Sequence, residues 1–231
     1  MRHLYRLLLG AILALMLPMG LSYGNVSNYQ FLDTYGDPIK AEGTPTEILS
    51  VGDDDVVTVF TPKVAKGDPA FTFYFDNKPY TTFSASSNGL IGFGSSAVTR
   101  DYENELTSTG GLYTLASVPQ IAPFWDDQFV LSDKETGLGD GNVSYFVNGT
   151  APNRVLVIEF NNMQIAYDAY FDGYTIPGFY QVRLYEGSNR IEFWYGDFYY
   201  TEGYGTTASI GLAASSSDFI SVTPGEGNVG S

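Results

Sequence analysis

The chain contains no cysteine and only one histidine, His3, near its start. Without cysteine there is no disulfide framework, no thiolate nucleophile and no cysteine-ligated metal. Without a histidine beyond residue 3, a Ser–His–Asp triad and a histidine-ligated zinc site are excluded as well. These absences remove most of the common catalytic arrangements and leave carboxylates as the main reactive side chains.

Positive charge is also scarce, with 11 Lys and Arg against 26 Asp and Glu and a formal net charge of −15. Proteins bind phosphate and sulfate groups mainly through Lys and Arg. The sequence therefore predicts no nucleic-acid partner, and it disfavours anionic lipids and polyanionic glycans. An acidic excess also keeps a protein soluble, which accounts for much of this charge.

Only one long hydrophobic stretch is present, and it lies at the N-terminus. Two arginines precede the apolar residues 7–17, Pro18 ends the stretch, and small residues follow it. This is the layout of a secretory signal, and the stretch is well short of the ~20 residues that a transmembrane helix needs. We predict a signal peptide at 1–24, a secreted or cell-surface location, and no direct membrane insertion after cleavage.

The remainder shows no sustained helical periodicity. Short runs of Val, Ile, Phe, Tyr and Thr recur between Gly, Asn, Asp and Pro, which predicts an all-β fold, an antiparallel β-sandwich or jelly roll. We assign residues 25–222 to one domain with a loosely ordered lead-in at 25–45. Residues 223–231 are assigned to a linker or tail, and we expect the chain to be part of a longer protein. The predicted strands are 46–51, 55–61, 70–75, 80–86, 90–94, 118–125, 142–147, 153–160, 179–186, 190–195, 207–213 and 218–222.

Three hairpins can be predicted in detail. In the hairpin 179–195, a type II′ turn at Gly187–Ser188 places Leu184 opposite Ile191 on a core face. The same register pairs Arg183 with Glu192 on the other face, which is predicted to be a solvated ladder.

The second hairpin turns at Asn88–Gly89, a favoured type I′ pair, and the third turns within residues 76–79. Strand 153–160 is apolar on nearly both sides, which predicts a central position in its sheet.

Four sequence blocks occur in an order that resembles a known domain. They are SSNGLIGFGS at 86–95, IAPFWDD at 121–127, APNRVLVIEFNN at 151–162 and FYQVRLYEGSNRIEFWYG at 179–196. Together they resemble the N-terminal β-sandwich domain of large bacterial secreted and cell-surface proteins, which also carry Ig-like or fibronectin-like modules and a C-terminal sorting tail. The block 121–127 is also remotely similar to the nidogen-type extracellular domain. The resemblance covers roughly residues 70–213, implies a non-enzymatic extracellular module and brings no catalytic residues.

If consecutive strands run antiparallel, the loops 126–141, 161–178 and 196–206 gather at one end of the sandwich. Two of these loops are rich in tyrosine and phenylalanine, which suit sugar faces and protein surfaces. The alternative is that these rings pack beneath their own loops. The candidate ligand-binding residues are Tyr167, Tyr170, Phe171, Tyr174, Phe198, Tyr199, Tyr200 and Tyr204.

The loop 126–141 is acidic, and calcium is bound by several oxygen ligands that include carboxylates. The candidate calcium ligands are Asp126, Asp127, Asp133, Glu135 and Asp140. Their spacing matches no standard calcium loop such as the EF-hand, so a solvated acidic loop is the alternative. No cofactor other than this candidate Ca²⁺ is predicted.

A glycosidase needs only two carboxylates, and Glu159 and Glu192 each interrupt an apolar strand. However, Arg183 lies opposite Glu192, and a solvent-facing position explains Glu159 equally well. We therefore expect a non-catalytic surface or extracellular-matrix interaction module that binds a glycan or a surface protein. The alternatives are a carbohydrate-active enzyme or its accessory carbohydrate-binding module, and a structural spacer or filament subunit.

Overall fold

A computed structural model of the chain describes residues 26–32, 35–53, 57–102, 104, 118–132, 137, 139–165, 178–196, 208–222 and 229–230. These residues form β-strands and one 3-10 turn, Val26–Asn28, and they include no α-helix. The strands are β1 (Thr46–Leu49), β2 (Val57–Phe60), β3 (Phe73–Phe75), β4 (Lys78–Tyr80), β5 (Phe83–Ser86), β6 (Ile91–Phe93), β7 (Gln120–Trp125), β8 (Gln128–Val130), β9 (Asn142–Asn148), β10 (Val155–Ile165), β11 (Gly178–Tyr185), β12 (Ile191–Tyr195), β13 (Ser209–Ser215), β14 (Asp218–Val222) and β15 (Val229–Gly230).

Two sheets make up the sandwich. Sheet A has the order β1-β9-β10-β11-β12, and β8 pairs with the last residues of β10. Sheet B has the order β15-β14-β13-β7-β6-β5-β2, while β3 and β4 form a separate ribbon. Every pairing between these strands is antiparallel, which confirms the predicted antiparallel β-sandwich.

The core is filled mainly by aromatic and branched aliphatic side chains. Phe93 stacks on Phe73 and Phe75 with ring centroids 5.8 and 4.5 Å apart, and Phe160 stacks on Tyr180 at 4.4 Å. Strand β10 lies between β9 and β11, so its predicted central position is confirmed. Leu156, Ile158 and Phe160, which share one face of β10, are all buried in this core.

The predicted register of the β11–β12 hairpin is confirmed, with Leu184 opposite Ile191 and Arg183 opposite Glu192. Its turn is wider than the predicted two residues. The N–H of Asn189 donates to the carbonyl of Tyr185 at 2.9 Å, and both Gly187 and Asn189 have a positive φ. The loop therefore contains four residues, and the predicted type II′ turn is wrong.

The hairpin between β5 and β6 is shifted by one residue from its predicted register. Ser84 pairs with Gly92, and Gly89, at φ +78°, ends a three-residue loop. The predicted type I′ turn at Asn88–Gly89 is therefore wrong, because three-residue loops combine a type I turn with one left-handed glycine. The type I′ geometry occurs instead between β3 and β4, where Asp76 and Asn77 have φ of 48° and 58°.

The outer face of sheet A is covered rather than solvated. Residues 36–42, which we call the strap, cross it, and Gln181 and Arg183 beneath are 0% and 6% exposed. The Gln181 amide binds the main chain of Ile39, and the Arg183 guanidinium donates to the carbonyl of Asp37 at 2.9 Å. The predicted solvated ladder is therefore wrong. The prediction failed because the covering segment lies more than 140 residues away in sequence.

Candidate functional site

The loop end is the end of the sandwich where β7 stops at Trp125, β10 at Ile165 and β12 at Tyr195, beside the turn 87–89. Pairings and hydrogen bonds hold these points together. Ser209 pairs with Trp125 in sheet B, and Gln128 pairs with Ile165 in sheet A. The antiparallel order thus brings the ends of strands from both sheets together, and the three predicted loops leave the sandwich there.

Asn88 joins three chain segments at this end. Its Oδ1 accepts the N–H of Gln128 at 3.0 Å, and its Nδ2 donates to the carbonyl of Arg100 at 3.0 Å. Its own carbonyl accepts the N–H of Asp126 at 3.4 Å. Because Asn88 is fully buried, the block 86–95 serves as a structural corner.

Two tyrosine hydroxyl groups help to fix the base of the loop end. Tyr180 is fully buried, and its hydroxyl donates to Oε1 of Gln128 at 3.2 Å. The hydroxyl of Tyr195 donates to the carbonyl of Pro123, which connects sheet A to sheet B. Burial raises the pKa of both phenols, so both remain protonated donors at neutral pH. The hydrogen bonds of Tyr180 and Tyr195 therefore persist at neutral pH and hold the strand ends that form the base of the loop end.

Trp125 is part of this base rather than an exposed binding residue. It is 1% exposed, and its Nε1 donates to the carbonyl of Asp101 at 2.8 Å. The next residue, Asp126, accepts the N–H of Asp127 on its Oδ1 at 2.9 Å. The block 121–127 thus ends in a packed tryptophan and two half-buried acids at the rim.

Strand β8 is a part of the loop end that the sequence did not predict. It lies inside the predicted loop 126–141 and pairs with Met163–Ile165, since β10 extends beyond residue 160. On its other side, Val130 forms a bridge with Gly52. Alternation over only three residues is too short to reveal such a strand.

The predicted ligand-binding aromatic residues lie outside the described residues, so they remain predictions. They are Tyr167, Tyr170, Phe171, Tyr174, Phe198, Tyr199, Tyr200 and Tyr204.

Of the predicted calcium ligands, Asp133 and Glu135 also lie outside the described residues. Asp126 and Asp127 are half-buried at the rim, and Asp140 is exposed. Within the described ranges, no three or more His, Cys, Asp or Glu residues are grouped closely enough to hold a metal ion. Because the full set of five is not described, calcium binding stays a prediction.

The two carboxylates considered for catalysis both have structural partners. Glu159 accepts Nε2 of Gln181 at 2.8 Å, and its partial burial raises its pKa. Glu192 accepts the hydroxyl of Tyr185 at 2.7 Å and pairs with Arg183 and Arg190 at 3.4 and 3.1 Å.

Strand register sets the separation of these two residues along the backbone. Strand β11 separates Glu159 from Glu192, and their positions are two residues out of step. Their Cα atoms are therefore roughly 12 Å apart by standard strand spacings.

The described architecture is that of an antiparallel β-sandwich in which β7, β10 and β12 stop at the same end. A sequence profile of the family described as NIDO related matches residues 28–229. The match spans most of the chain, so the chain belongs to the NIDO-related family, and the remote similarity to a nidogen-like extracellular domain is confirmed. Domains of this family are extracellular in general. Among curated proteins and among solved structures, no significant match to this chain is found. The described residues include no helix with the length and apolarity to cross a bilayer.

Proposed function

We propose that this chain is a secreted, non-catalytic interaction module that binds a glycan or a surface protein through the aromatic and acidic loops of the loop end. The network around Asn88, Gln128 and Tyr180 carries the proposal, because it fixes the points from which these loops leave. Binding residues on loops require such a rigid support. A place in a large bacterial surface protein belongs to the same proposal.

Side-chain chemistry supports binding over catalysis. Beyond His3 the chain has no histidine and no cysteine. Glu159 and Glu192 are each used in contacts that hold the outer face of sheet A. Tyrosine offers an apolar face and a hydroxyl at low cost in conformational entropy, which suits a binding surface.

Replacing Tyr170 and Tyr199 with alanine should abolish binding to a glycan array or to immobilised matrix proteins. If these rings face a ligand rather than the core, the melting temperature should change by less than about 2 °C, since exposed side chains contribute little to stability. Tyr35 and Tyr74, which are exposed elsewhere on the protein, provide matched controls. Their replacement with alanine should leave binding unchanged.

A large fall in melting temperature for the Tyr170 and Tyr199 variant would instead show that the rings pack beneath their loops. Hydrolysis of a polysaccharide that disappears in Glu159→Gln would establish the enzymatic alternative. Self-association without any ligand would support a structural spacer.

If the acidic loop binds calcium, 1 mM CaCl₂ should raise the melting temperature above that measured in EGTA. A ligand at about 100 times its Kd stabilises the folded state by about 2.7 kcal/mol, which corresponds to several degrees. Replacing both Asp126 and Asp140 with asparagine should remove this difference, while Asp68→Asn, an exposed control, should keep it. Identical melting curves in calcium and in EGTA would contradict calcium binding.

A further inference from the structure

The strap crosses four strands of sheet A, from β12 over β11 and β10 to β9. At its start, Nε1 of Trp194 on β12 donates to the carbonyl of Gly36 at 2.6 Å. It next binds Gln181 on β11, and it then reaches Asn148 on β9. Since β10 lies between β11 and β9, the strap passes over β10, where Val157 is fully buried although it shares the outer face with Arg183.

The hydrogen bonds between sheet A and the strap all join a side chain of the sheet to a main-chain group of the strap. Asn148 and Gln181 each use both ends of the side-chain amide, as a donor and as an acceptor. The bonds are Trp194 Nε1 to Gly36 O (2.6 Å), Arg183 Nη2 to Asp37 O (2.9 Å), Ile39 N to Gln181 Oε1 (3.0 Å), Gln181 Nε2 to Ile39 O (2.8 Å), Asn148 Nδ2 to Lys40 O (2.8 Å) and Glu42 N to Asn148 Oδ1 (3.1 Å).

The amide of Gln181 is oriented by the sheet itself. Arg183 donates to its Oε1 at 3.1 and 2.9 Å, and Glu159 accepts from its Nε2 at 2.8 Å. The acceptor therefore faces the N–H of Ile39 and the donor faces its carbonyl without any contribution from the strap. This orientation gives Glu159 on β10 and Arg183 on β11 a structural role. Binding to such a preorganised group loses less entropy.

The side chains of the strap contribute little to this recognition. Asp37, Lys40 and Glu42 are exposed, and only Pro38, Ile39 and Ala41 are half-buried. Main-chain hydrogen bonds supply affinity for any extended segment, whereas side-chain pockets supply specificity. The outer face of sheet A thus has the properties of a site for extended polypeptide.

The strap joins β1 through three exposed residues, 43–45. On its other side, Leu32 and Tyr35 are 84% and 101% exposed. Further back, Val26 is buried in the core and Tyr29 packs against it. A segment that is linked through a short exposed connection can be exchanged between identical copies together with the chain before it, because the second copy supplies the same contacts.

We propose that the outer face of sheet A is a binding site for extended polypeptide, and that residues 36–42 of a second copy of this chain bind there in place of the chain's own strap. The site lies on the face of sheet A and not at the loop end, so it goes beyond the function proposed above. Within one copy the strap competes at an effective concentration in the millimolar range. Exchange therefore depends on protein concentration and on the length of the connection.

The first test uses a fluorescent peptide of residues 35–43 and the full chain with a protease site inserted at 43–45. The peptide should bind the cleaved chain at least tenfold more tightly than the uncleaved chain, because cleavage removes the covalent link to β1 and with it the high effective concentration at which the strap competes. Fluorescence anisotropy measures both affinities. A peptide that binds neither form at millimolar concentration would overturn the proposal.

N-methylation of the peptide distinguishes main-chain hydrogen bonding from non-specific binding. A methyl group on the nitrogen of Ile39 removes the donor to Gln181 and should weaken binding about tenfold. The matched control is a methyl group on the nitrogen of Lys40, whose N–H has no hydrogen-bond partner among the described residues. The control should bind within about threefold of the parent peptide, and equal losses for the two peptides would overturn the proposal.

The second test asks whether another copy occupies the site. Glu42 lies over Asn148, whereas Thr46 pairs with Tyr145, three residues back along β9. The connection therefore spans about 10 Å along the strand. In a chain lacking Gly43 and Thr44, two Cα–Cα steps of about 3.8 Å reach at most about 7.6 Å. Its own strap cannot then reach the site.

This shortened chain should sediment as a dimer or larger assembly at micromolar concentration. The parent chain should do so only as its concentration approaches the millimolar range, where a second copy can compete with its own strap. An excess of a peptide of residues 26–43 should convert the assemblies to monomers, because it occupies the same site. Assemblies that the peptide does not dissolve, or a monomeric shortened chain, would overturn exchange between copies.

Discussion

Replacement of Arg154 with alanine is expected to lower the free energy of unfolding by about 3–5 kcal/mol and the melting temperature by roughly 10 °C. The Arg154 side chain is 2% exposed. It donates two parallel hydrogen bonds to Glu186, from Nε to Oε2 at 2.7 Å and from Nη2 to Oε1 at 2.6 Å. Removing one partner of a buried pair leaves the other charge without compensation. This loss is larger than that for an exposed ion pair.

The same guanidinium holds the chain that leads into β3. Its Nη1 donates to the carbonyl of Pro69 at 2.9 Å, and its Nη2 donates to that of Ala70 at 3.1 Å. Glu186 also accepts the N–H of Thr72 at 3.1 Å. The pair therefore fixes the β11–β12 turn against the segment before Phe73, and its loss exposes part of the core.

Acidification should weaken the ion pair between Arg154 and Glu186. Hydrogen bonds from Arg154 hold the pKa of Glu186 below its ordinary value of 4.5. The unfolded chain therefore binds this proton at a higher pH than the folded chain. The stabilisation is complete above about pH 5 and is lost as the pH falls below 4.5 through the folded pKa. Melting curves between pH 7 and pH 3 should show this loss in the parent chain and a smaller loss in Arg154→Ala.

Arg190 provides the matched control for Arg154. Its side chain is 58% exposed and pairs with Glu192 at 3.1 Å, so Arg190→Ala should change the unfolding free energy by less than about 1 kcal/mol. Arg154→Lys keeps the charge but not the two parallel bonds, and it should fall between the other two variants. Equal effects of Arg154→Ala and Arg190→Ala would show that the buried pair of Arg154 and Glu186 contributes no more to the free energy of unfolding than an exposed pair.

Local pattern was sufficient to predict the fold class and the β11–β12 register. In that hairpin, Leu184 with Ile191 and Arg183 with Glu192 favour the same register from the two faces of the ribbon. A slip of one residue would turn the charged pair toward the apolar core between the sheets, so the sequence strongly specifies this alignment. The same reasoning located β10 at the centre, because both of its faces are apolar.

The register of β5–β6 was mispredicted because its strands carry little alternation. Ser84, Ser86 and Gly92 give neither face a clear apolar set, so only the dipeptide Asn88–Gly89 remained as a signal. That dipeptide also fits a three-residue loop with a left-handed glycine. Pairs within the hairpin therefore could not distinguish the two turns.

The strap and the base of the loop end depend on contacts that are remote in sequence. Gln181 and Ile39 are 142 residues apart, and Tyr180 and Gln128 are 52 apart. A polar residue in a strand predicts a solvated face unless a distant segment covers it, and one sequence cannot show that segment. The composition of the loops suggested binding, but their supporting base was visible only in the folded chain.

Gly89→Ala should be among the most destabilising single substitutions, at about 4 kcal/mol or more. A Cβ at position 89 would lie 2.0 Å from the carbonyl oxygen of Phe124 and 2.5 Å from Nε2 of Gln128. The oxygen belongs to the backbone of β7, so the corner at Asn88 must shift to make room. The left-handed φ of +78° adds a further cost of about 1–2 kcal/mol.

Gly67→Ala measures the cost of a left-handed φ without the steric clash that is expected at position 89. Gly67 also has a left-handed φ, +100°, but no atom lies within 4 Å of a Cβ built there. Its replacement should therefore cost only about 1–2 kcal/mol, and denaturant unfolding of the two variants measures the difference. Because Gly89 lies at the corner that supports the loop end, Gly89→Ala should also weaken ligand binding at temperatures where the chain remains folded. Equal destabilisation by the two substitutions would mean that the backbone of β7 at Phe124 can move to accommodate a Cβ without cost. A loop end supported by such a flexible strand would not hold its loops in fixed positions.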